Sequence, residues 1–360
     1  LKKLLFMMIL PLGLLIGCSD TTQDESTEDV EVVSGDEAET SVSKPSEPFE
    51  GIEDEHLRTL ILDELGMEDA AGDKSKPTQE NMEELHFVKT SSTILEDDEK
   101  ITSLKGLEYA INLEALELRN HEITDYTPMT NLTKLYSLDL SSNGLQDISF
   151  IKNLNILENL RLDGNEIEDI SVLASLPKLR FIQLHGNDVH DLSPLADLEN
   201  LDDINLGRNK ISDVSPLANL TSVKKLYLAT NDIDDLESLR TLTNIEYFDV
   251  SYNNLTDANM IEDLKKMKVL SVNENKLTSI DFVEELSNIT WLNISNTDIS
   301  DLTSLEKLQN LEILDLSKTK VTDIKPITAL PNLRELSISD NENLDGKKIE
   351  SELSDVDVRY

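Results

Sequence analysis

Between Leu116 and Leu336 apolar residues return every 22 positions, without a slip, through eleven copies. One column reads Leu116, Leu138, Leu160, Ile182, Ile204, Leu226, Phe248, Leu270, Leu292, Leu314 and Leu336; a second, two residues on, runs from Leu118 to Ile338. A spacing of two is the period of a strand, so both members of each pair point inward and the residue between them points out. Three residues further stands a polar column: His121, Asn143, Asn165, Asn187, Asn209, Asn231, Asn253, Asn275, Thr297, Thr319 and Asn341. A side-chain amide carries donors and an acceptor, so an asparagine that turns the chain here can satisfy backbone groups of adjacent turns. Thr297 and Thr319 can do part of that work; His121, at the first copy, is not required to. Further apolar columns, seen in one copy as Ile167, Ile170, Leu173, Leu176 and Leu179, complete the turn. No single turn buries such a set alone, whereas stacked turns share one continuous core. The pattern predicts a solenoid with one short strand per turn.

A column of aspartates follows each asparagine: Asp125, Asp147, Asp169, Asp191, Asp213, Asp235, Asp257, Asp301 and Asp323, with Ser279 the exception. Proline often comes shortly after (Pro128, Pro194, Pro216, Pro326). Aspartate caps the free N–H groups at a helix start and proline suits the first turn, so capping explains this column better than a row of cation sites. A 22-residue repeat leaves no room for a long helix, and short 3₁₀ turns are expected opposite the strands. Upstream, His56 to Gly66 reads as an amphipathic helix on Leu57, Leu60, Ile61 and Leu65. Thr78 to Lys89 reads as a second helix, with Thr78 its cap and Met82, Leu85 and Phe87 its apolar face. A degenerate copy around Ile94 to Leu113 keeps Ile101, Leu104 and Leu107, but Glu96 and Glu99 replace the leucine and asparagine. Beyond Ile338, Asp345 to Ser354 is expected as a short helix and Val356 to Tyr360 as a closing strand.

Segments such as Leu206-Gly207-Arg208-Asn209-Lys210-Ile211-Ser212-Asp213-Val214-Ser215-Pro216-Leu217 resemble the repeat of the bacterial internalin family of leucine-rich repeat proteins. The resemblance implies an α/β repeat solenoid. It would be a right-handed horseshoe or arc, with a parallel β-sheet on the concave face, short 3₁₀ turns on the convex face and a helical N-terminal cap. The division it suggests is a leader (1–17), an acidic tether (18–50), the helical cap (51–92), the repeats (93–341) and a C-terminal cap (342–360). Such a pattern specifies fold far more than function, because one scaffold serves many partners.

The scaffold leaves residue type free on the outward positions of the strands. The column just before the first leucine reads Ala115, Ser137, Asn159, Phe181, Asp203, Lys225, Tyr247, Val269, Trp291, Ile313 and Glu335. Four successive strands thus display Tyr247, Val269, Trp291 and Ile313, bounded by Lys225 and Glu335, and Tyr227 in the middle column extends the row. Aromatic residues are favoured interface anchors. The row is therefore the expected contact for a partner protein, with an envelope polysaccharide or a scaffolding role as the alternative. The chain holds 72 acidic against 32 basic residues, a formal charge of −40, which makes nucleic acid and anionic lipid surfaces poor partners. Its five histidines are scattered and suggest no catalytic or metal-binding constellation; a non-enzymatic protein without cofactor is expected, with at most weak cation binding around Asp97, Asp98 and Glu99. His185 faces the concavity near Asp163, a lone pair of that kind being usually decorative.

Lys2 and Lys3 precede an apolar stretch from Leu4 to Gly17, too short to span a bilayer comfortably. It closes with Leu15-Ile16-Gly17-Cys18, which resembles the lipobox that directs a diacylglycerol to the cysteine before signal cleavage, and Cys18 is the chain's one cysteine. Ser19 to Glu50 holds eleven acidic residues and one basic residue, Lys44, and is too polar to offset its ordering entropy. As a flexible coil it would reach about 30 Å. No immunoglobulin-like domain or sorting motif follows the repeats, so the anchor is expected at the N-terminus, holding the protein by a lipid on the outer face of the cell membrane. Losing the leader's two lysines would take the charge to −42.

Overall fold

Among the described residues, thirteen three-residue strands follow one another and pair, each with the next, into one open parallel sheet. The computed structural model describes residues 49–67, 77–90 and 99–360, all within one compact unit spanning Val42–Tyr360. The leader, Cys18, the tether up to residue 48, and Glu96, Asp97 and Asp98 lie outside the described residues. The strands are β1 (Phe87–Lys89), β2 (Ala115–Glu117), β3 (Ser137–Asp139), β4 (Asn159–Arg161), β5 (Phe181–Gln183), β6 (Asp203–Asn205) and β7 (Lys225–Tyr227). Then come β8 (Tyr247–Asp249), β9 (Val269–Ser271), β10 (Trp291–Asn293), β11 (Ile313–Asp315), β12 (Glu335–Ser337) and β13 (Asp357–Arg359). From β2 to β12 the register is the repeat itself, with Leu292 level with Leu270 and Leu314. Short 3₁₀ segments such as Ser171–Ser175 and Ser215–Leu217 lie between successive strands. This is a leucine-rich repeat solenoid, as the 22-residue period requires.

The inward columns form a single hydrophobic core, in which Leu116, Leu138, Leu160, Ile182 and Leu226 are fully buried. Along its edge runs the asparagine ladder. Asn187 donates to the carbonyls of Leu162 and Leu184 (both 3.0 Å) and accepts from the N–H of Ile167 (3.0 Å). The same three bonds recur at Asn231, Asn253 and Asn275. Thr297 and Thr319 do part of this, each hydroxyl donating to the carbonyl three residues back. His121 does more than its position requires: its Nδ1 accepts from Ile101 N–H at 3.1 Å, while the buried Nε2 finds no partner among the described residues. The residue before each ladder position lies in the left-handed region in all eleven copies, although only Gly164 and Gly186 are glycines there. Thr230, at φ 60°, and Tyr252, at φ 53°, bear the steric cost of that turn.

The aspartate column is structural. Asp147, Asp169, Asp191 and Asp213 each accept, at 2.8 Å, from the N–H two residues on, which opens the 3₁₀ segment, and Ser279 does the same for Asp281. They stand one residue before the cap position itself, so the motif is a side-chain turn leading into the helix. The prolines occupy the second position of the 3₁₀ segments, as in Ser193-Pro194-Leu195.

Helix α1 (Glu55–Glu64) buries Leu57 and Ile61, as its spacing predicts, and is capped by Asp54, whose side chain accepts from His56 and Leu57 N–H. Helix α2 (Gln79–Glu83) is much shorter than the expected Thr78 to Lys89; Thr78 caps it and Met82 is buried. The rest of that segment becomes β1, and Phe87 is 43% exposed instead of lining a helix face. Pairing wins because the first repeat strand would otherwise present a free edge, which β1 covers in register, Phe87 level with Ala115. At the other end helix α3 (Gly346–Glu352), capped by Asp345, and β13 close the core as expected. Among the described residues no helix is long and apolar enough to cross a membrane.

Candidate functional site on the concave face

Because the repeat leucines point inward, each strand presents outward the residues before, between and after them. Tyr247, Val269, Trp291 and Ile313 are level neighbours on β8 to β11, and all four are half-buried. At about 4.8 Å between strands the row is roughly 15 Å long. Its ends are charged. Lys225 pairs with Asp203 at 3.1 Å and lies 5.8 Å from the centre of the Tyr247 ring; Glu335 pairs with Arg359 at 2.8 Å. Tyr227 lies half-buried in the middle column of β7, next to Lys225, and burial with nearby acids raises its hydroxyl pKa. All five predicted contact residues therefore share one stretch of sheet.

The polar residues beside this row are spent on the fold. Asp249 accepts from the N–H (3.0 Å) and hydroxyl (2.6 Å) of Ser251; Asp315 and Asn293 accept from the N–H groups of Ser317 (3.0 Å) and Ser295 (2.9 Å). These bonds fix the turn at the end of each strand, and burial pushes the Asp249 carboxyl upward. The signal was available in sequence as Asp or Asn followed two residues later by Ser, but the repeat reading passed over it.

Sequence reasoning also missed the charged half of the face. Asp139 is fully buried and is held by Arg119, whose Nε donates at 2.6 Å. Arg161 stacks over the Phe181 ring at 4.5 Å. Asp163 and His185 do meet, but through the backbone N–H of His185, 2.9 Å from the carboxylate. Burial pushes the Asp163 carboxyl up to about 6, and burial with the charge of Arg208 lowers the His185 pKa. None of the predicted contact residues lines the acidic hollow of about 710 Å³ on the turns bearing Glu166, Glu168, Asp191 and His190. Among the described residues no group of His, Cys, Asp or Glu could hold a metal ion.

Residues 133–189 match the family model of a leucine rich repeat, and residues 199–241, 287–328 and 309–352 match the model of leucine-rich repeats in two copies. No curated protein matches the chain in sequence. Among solved structures an internalin of Listeria monocytogenes, InlF, is 30% identical, with a TM-score of 0.77, over 85% of this chain and 94% of its own. A leucine-rich repeat protein of Leptospira interrogans shares the fold at 22% identity and a TM-score of 0.64, over 75% of this chain and 82% of its own. The functional domain of Listeria monocytogenes InlJ does so at 23% and 0.61, over 70% and 55%.

Proposed function

This chain belongs to the internalin family of leucine-rich repeat proteins, and from that premise we propose that it is a lipid-anchored surface protein that grips a partner protein across its concave face. The leucine-rich repeat is a protein-interaction scaffold, and this reading assigns the chain no catalysis. The observation that carries it is the row of Tyr247, Val269, Trp291 and Ile313, level on four strands and half-buried. Core packing does not explain that row, because the core is filled by the inward columns. With Tyr227 at its head, the row supplies the desolvated centre of an interface, and the charged pairs at either end supply its rim. Cys18 would carry the lipid and the acidic segment after it would lift the solenoid from the headgroups.

The test is capture by the lipid-free chain, from envelope and host-surface extracts, of a protein whose binding depends on Trp291. Trp291→Ala should weaken that complex about thirtyfold, the loss of roughly 2 kcal/mol that truncating an interface aromatic brings. Lys320→Ala, on an exposed side chain paired with Asp298 away from the strands, should not. Equal capture by both variants refutes the row as the contact. Retention of an envelope polysaccharide in place of a protein, lost in Trp291→Ala, would move the function to glycan binding.

A further inference from the structure

Arg161 occupies the middle column of β4, half-buried in the charged half of the concave face. Its guanidinium lies 4.5 Å from the centre of the Phe181 ring on β5, and among the described residues it has neither an ion pair nor a side-chain hydrogen bond. Six other arginines are engaged: Arg58 donates to the Ile52 carbonyl, and Arg119, Arg180, Arg240, Arg334 and Arg359 pair with carboxylates. In a chain with 72 acidic residues against 32 basic, an unpaired arginine is not short of partners. The carboxylates around it make their hydrogen bonds and ion pairs elsewhere, Asp139 with Arg119, Asp203 with Lys225 and Asp163 with the His185 N–H, although the charge of Arg161 still reaches Asp163 and Asp203.

A guanidinium is planar and carries five N–H donors around its edge, so a stack on an aromatic ring uses its face and leaves the edge free. That edge matches a carboxylate two oxygens at a time, and the ring fixes its orientation in advance. The surroundings carry both signs, with Asp163 and Asp203 within reach of the Arg161 charge. Arg208, just past β6, adds positive charge beside His185, and Gly207 keeps the floor low, since a Cβ there would meet His185 Nδ1 at 2.8 Å.

We propose that Arg161, held on Phe181, is the docking point for an Asp or Glu carboxylate of the partner protein. The proposal rests on the concave-face reading for the kind of partner, and it enlarges the footprint. β4 and β8 are four strand spacings apart, about 19 Å, so the partner would present a carboxylate about that far from the apolar group it places on Tyr247. Long-range repulsion by the acidic chain is screened within about 8 Å at physiological salt. The contact therefore selects at short range for a correctly placed anion.

The probe is acetyl-Gly-Glu-Gly-amide, with acetyl-Gly-Gln-Gly-amide and inorganic phosphate as comparisons, titrated into the full chain kept lipid-free by Cys18→Ala. The arginine Nε–H and backbone amide NMR signals report the site. The Glu peptide should shift the Arg161 Nε–H signal saturably and the Gln peptide should not. Arg161→Lys, which keeps the charge and loses the fork, should weaken binding about tenfold or more, and Arg161→Ala should abolish it. Trp291→Ala should leave the titration unchanged, which separates this site from the apolar row. An unmoved Arg161 signal, or equal shifts from the Glu and Gln peptides, overturns the proposal. A phosphate response as strong as that of the Glu peptide overturns the assignment to a protein carboxylate.

Discussion

Asn209→Ala removes one rung of the ladder, and the structure gives its cost bond by bond. Asn209 Nδ2 donates to the carbonyls of Leu184 (2.9 Å), Leu206 (3.0 Å) and Gly207 (3.1 Å), and Oδ1 accepts from Val189 N–H (3.0 Å). Four contacts do not sum to four losses. The Leu184 carbonyl also accepts from Asn187, and the Leu206 carbonyl also accepts from Asn231, so both keep a donor in the variant. Val189 has no such reserve: among the described residues its N–H bonds only to Asn209, and the residue is fully buried. An unsatisfied buried N–H costs about 1–3 kcal/mol, so the variant should lose about 2 kcal/mol with its circular dichroism unchanged. Urea unfolding followed by two probes measures the loss, and amide exchange at Val189 should accelerate beyond that at Ile211, whose acceptor Asn231 is untouched. Asn209→Thr should recover little, because the hydroxyls at Thr297 and Thr319 donate to a carbonyl of their own turn and offer no acceptor one turn back. Asn200 is the control. It belongs to a second, exposed asparagine column, donates to the Pro177 carbonyl at 2.9 Å, and should lose less than about 0.5 kcal/mol on change to Ala. Full rescue by Thr, or an equal loss at Asn200, would refute the accounting.

Cys18→Ala should abolish incorporation of a palmitate analogue and leave the precursor uncleaved by the lipoprotein peptidase; equal labelling of both proteins would remove the anchor. Thr230→Gly should stabilise the fold by about 1 kcal/mol, because a β-branched residue at φ 60° bears a cost that glycine does not; denaturant unfolding reads it, and a destabilised variant would contradict it. Burial lowers the His121 pKa to about 4 against 6.5 unfolded, so its contribution is complete above pH 6.5 and is lost as pH falls toward 4, by about 3 kcal/mol; His121→Asn should remove that slope from unfolding curves taken across the window. Asp163 has the opposite sign. Its folded pKa is raised to about 6, so its carboxylate costs stability at neutral pH and that cost fades as pH falls through 6 toward 3.8. Asp163→Asn should gain about 1–2 kcal/mol at pH 7, after allowance for partial exposure, and nothing at pH 3.5.

The fold was legible because the solenoid repeats one set of demands. Each inward leucine faces the same neighbours 22 residues either way, so its column is constrained eleven times over, and register and core could be read from Leu116 to Leu336. Where the repetition ends, the reading weakened. Met82, Leu85 and Phe87 fit a helical face, yet the chain turns into β1 after α2, because the exposed edge of β2 offers a row of backbone partners that helix periodicity cannot register. The left-handed turn column escaped notice for a related reason. Only two of its eleven members are glycine, and Thr230 and Tyr252 are held there by their own backbone N–H groups, which donate to the carbonyls of Ser251 and Asn273 in the next turn.

The concave face obeys a different rule. Its residues answer to no repeated contact, so a column that changes from Phe181 to Asp203 to Lys225 to Tyr247 shows where the scaffold has released its hold without showing what took it up. Apolar runs survive this loss, because Tyr247, Val269, Trp291 and Ile313 stand out against polar neighbours by residue type alone. Charges do not. Whether an arginine is free depends on which carboxylates its neighbours have already claimed: Arg119 and Arg161 stand two strands apart in adjacent outward columns, yet one closes on Asp139 and the other is left stacked on Phe181. The column shows the possible contact residues, but only the pairing pattern separates an engaged charge from one available to a partner.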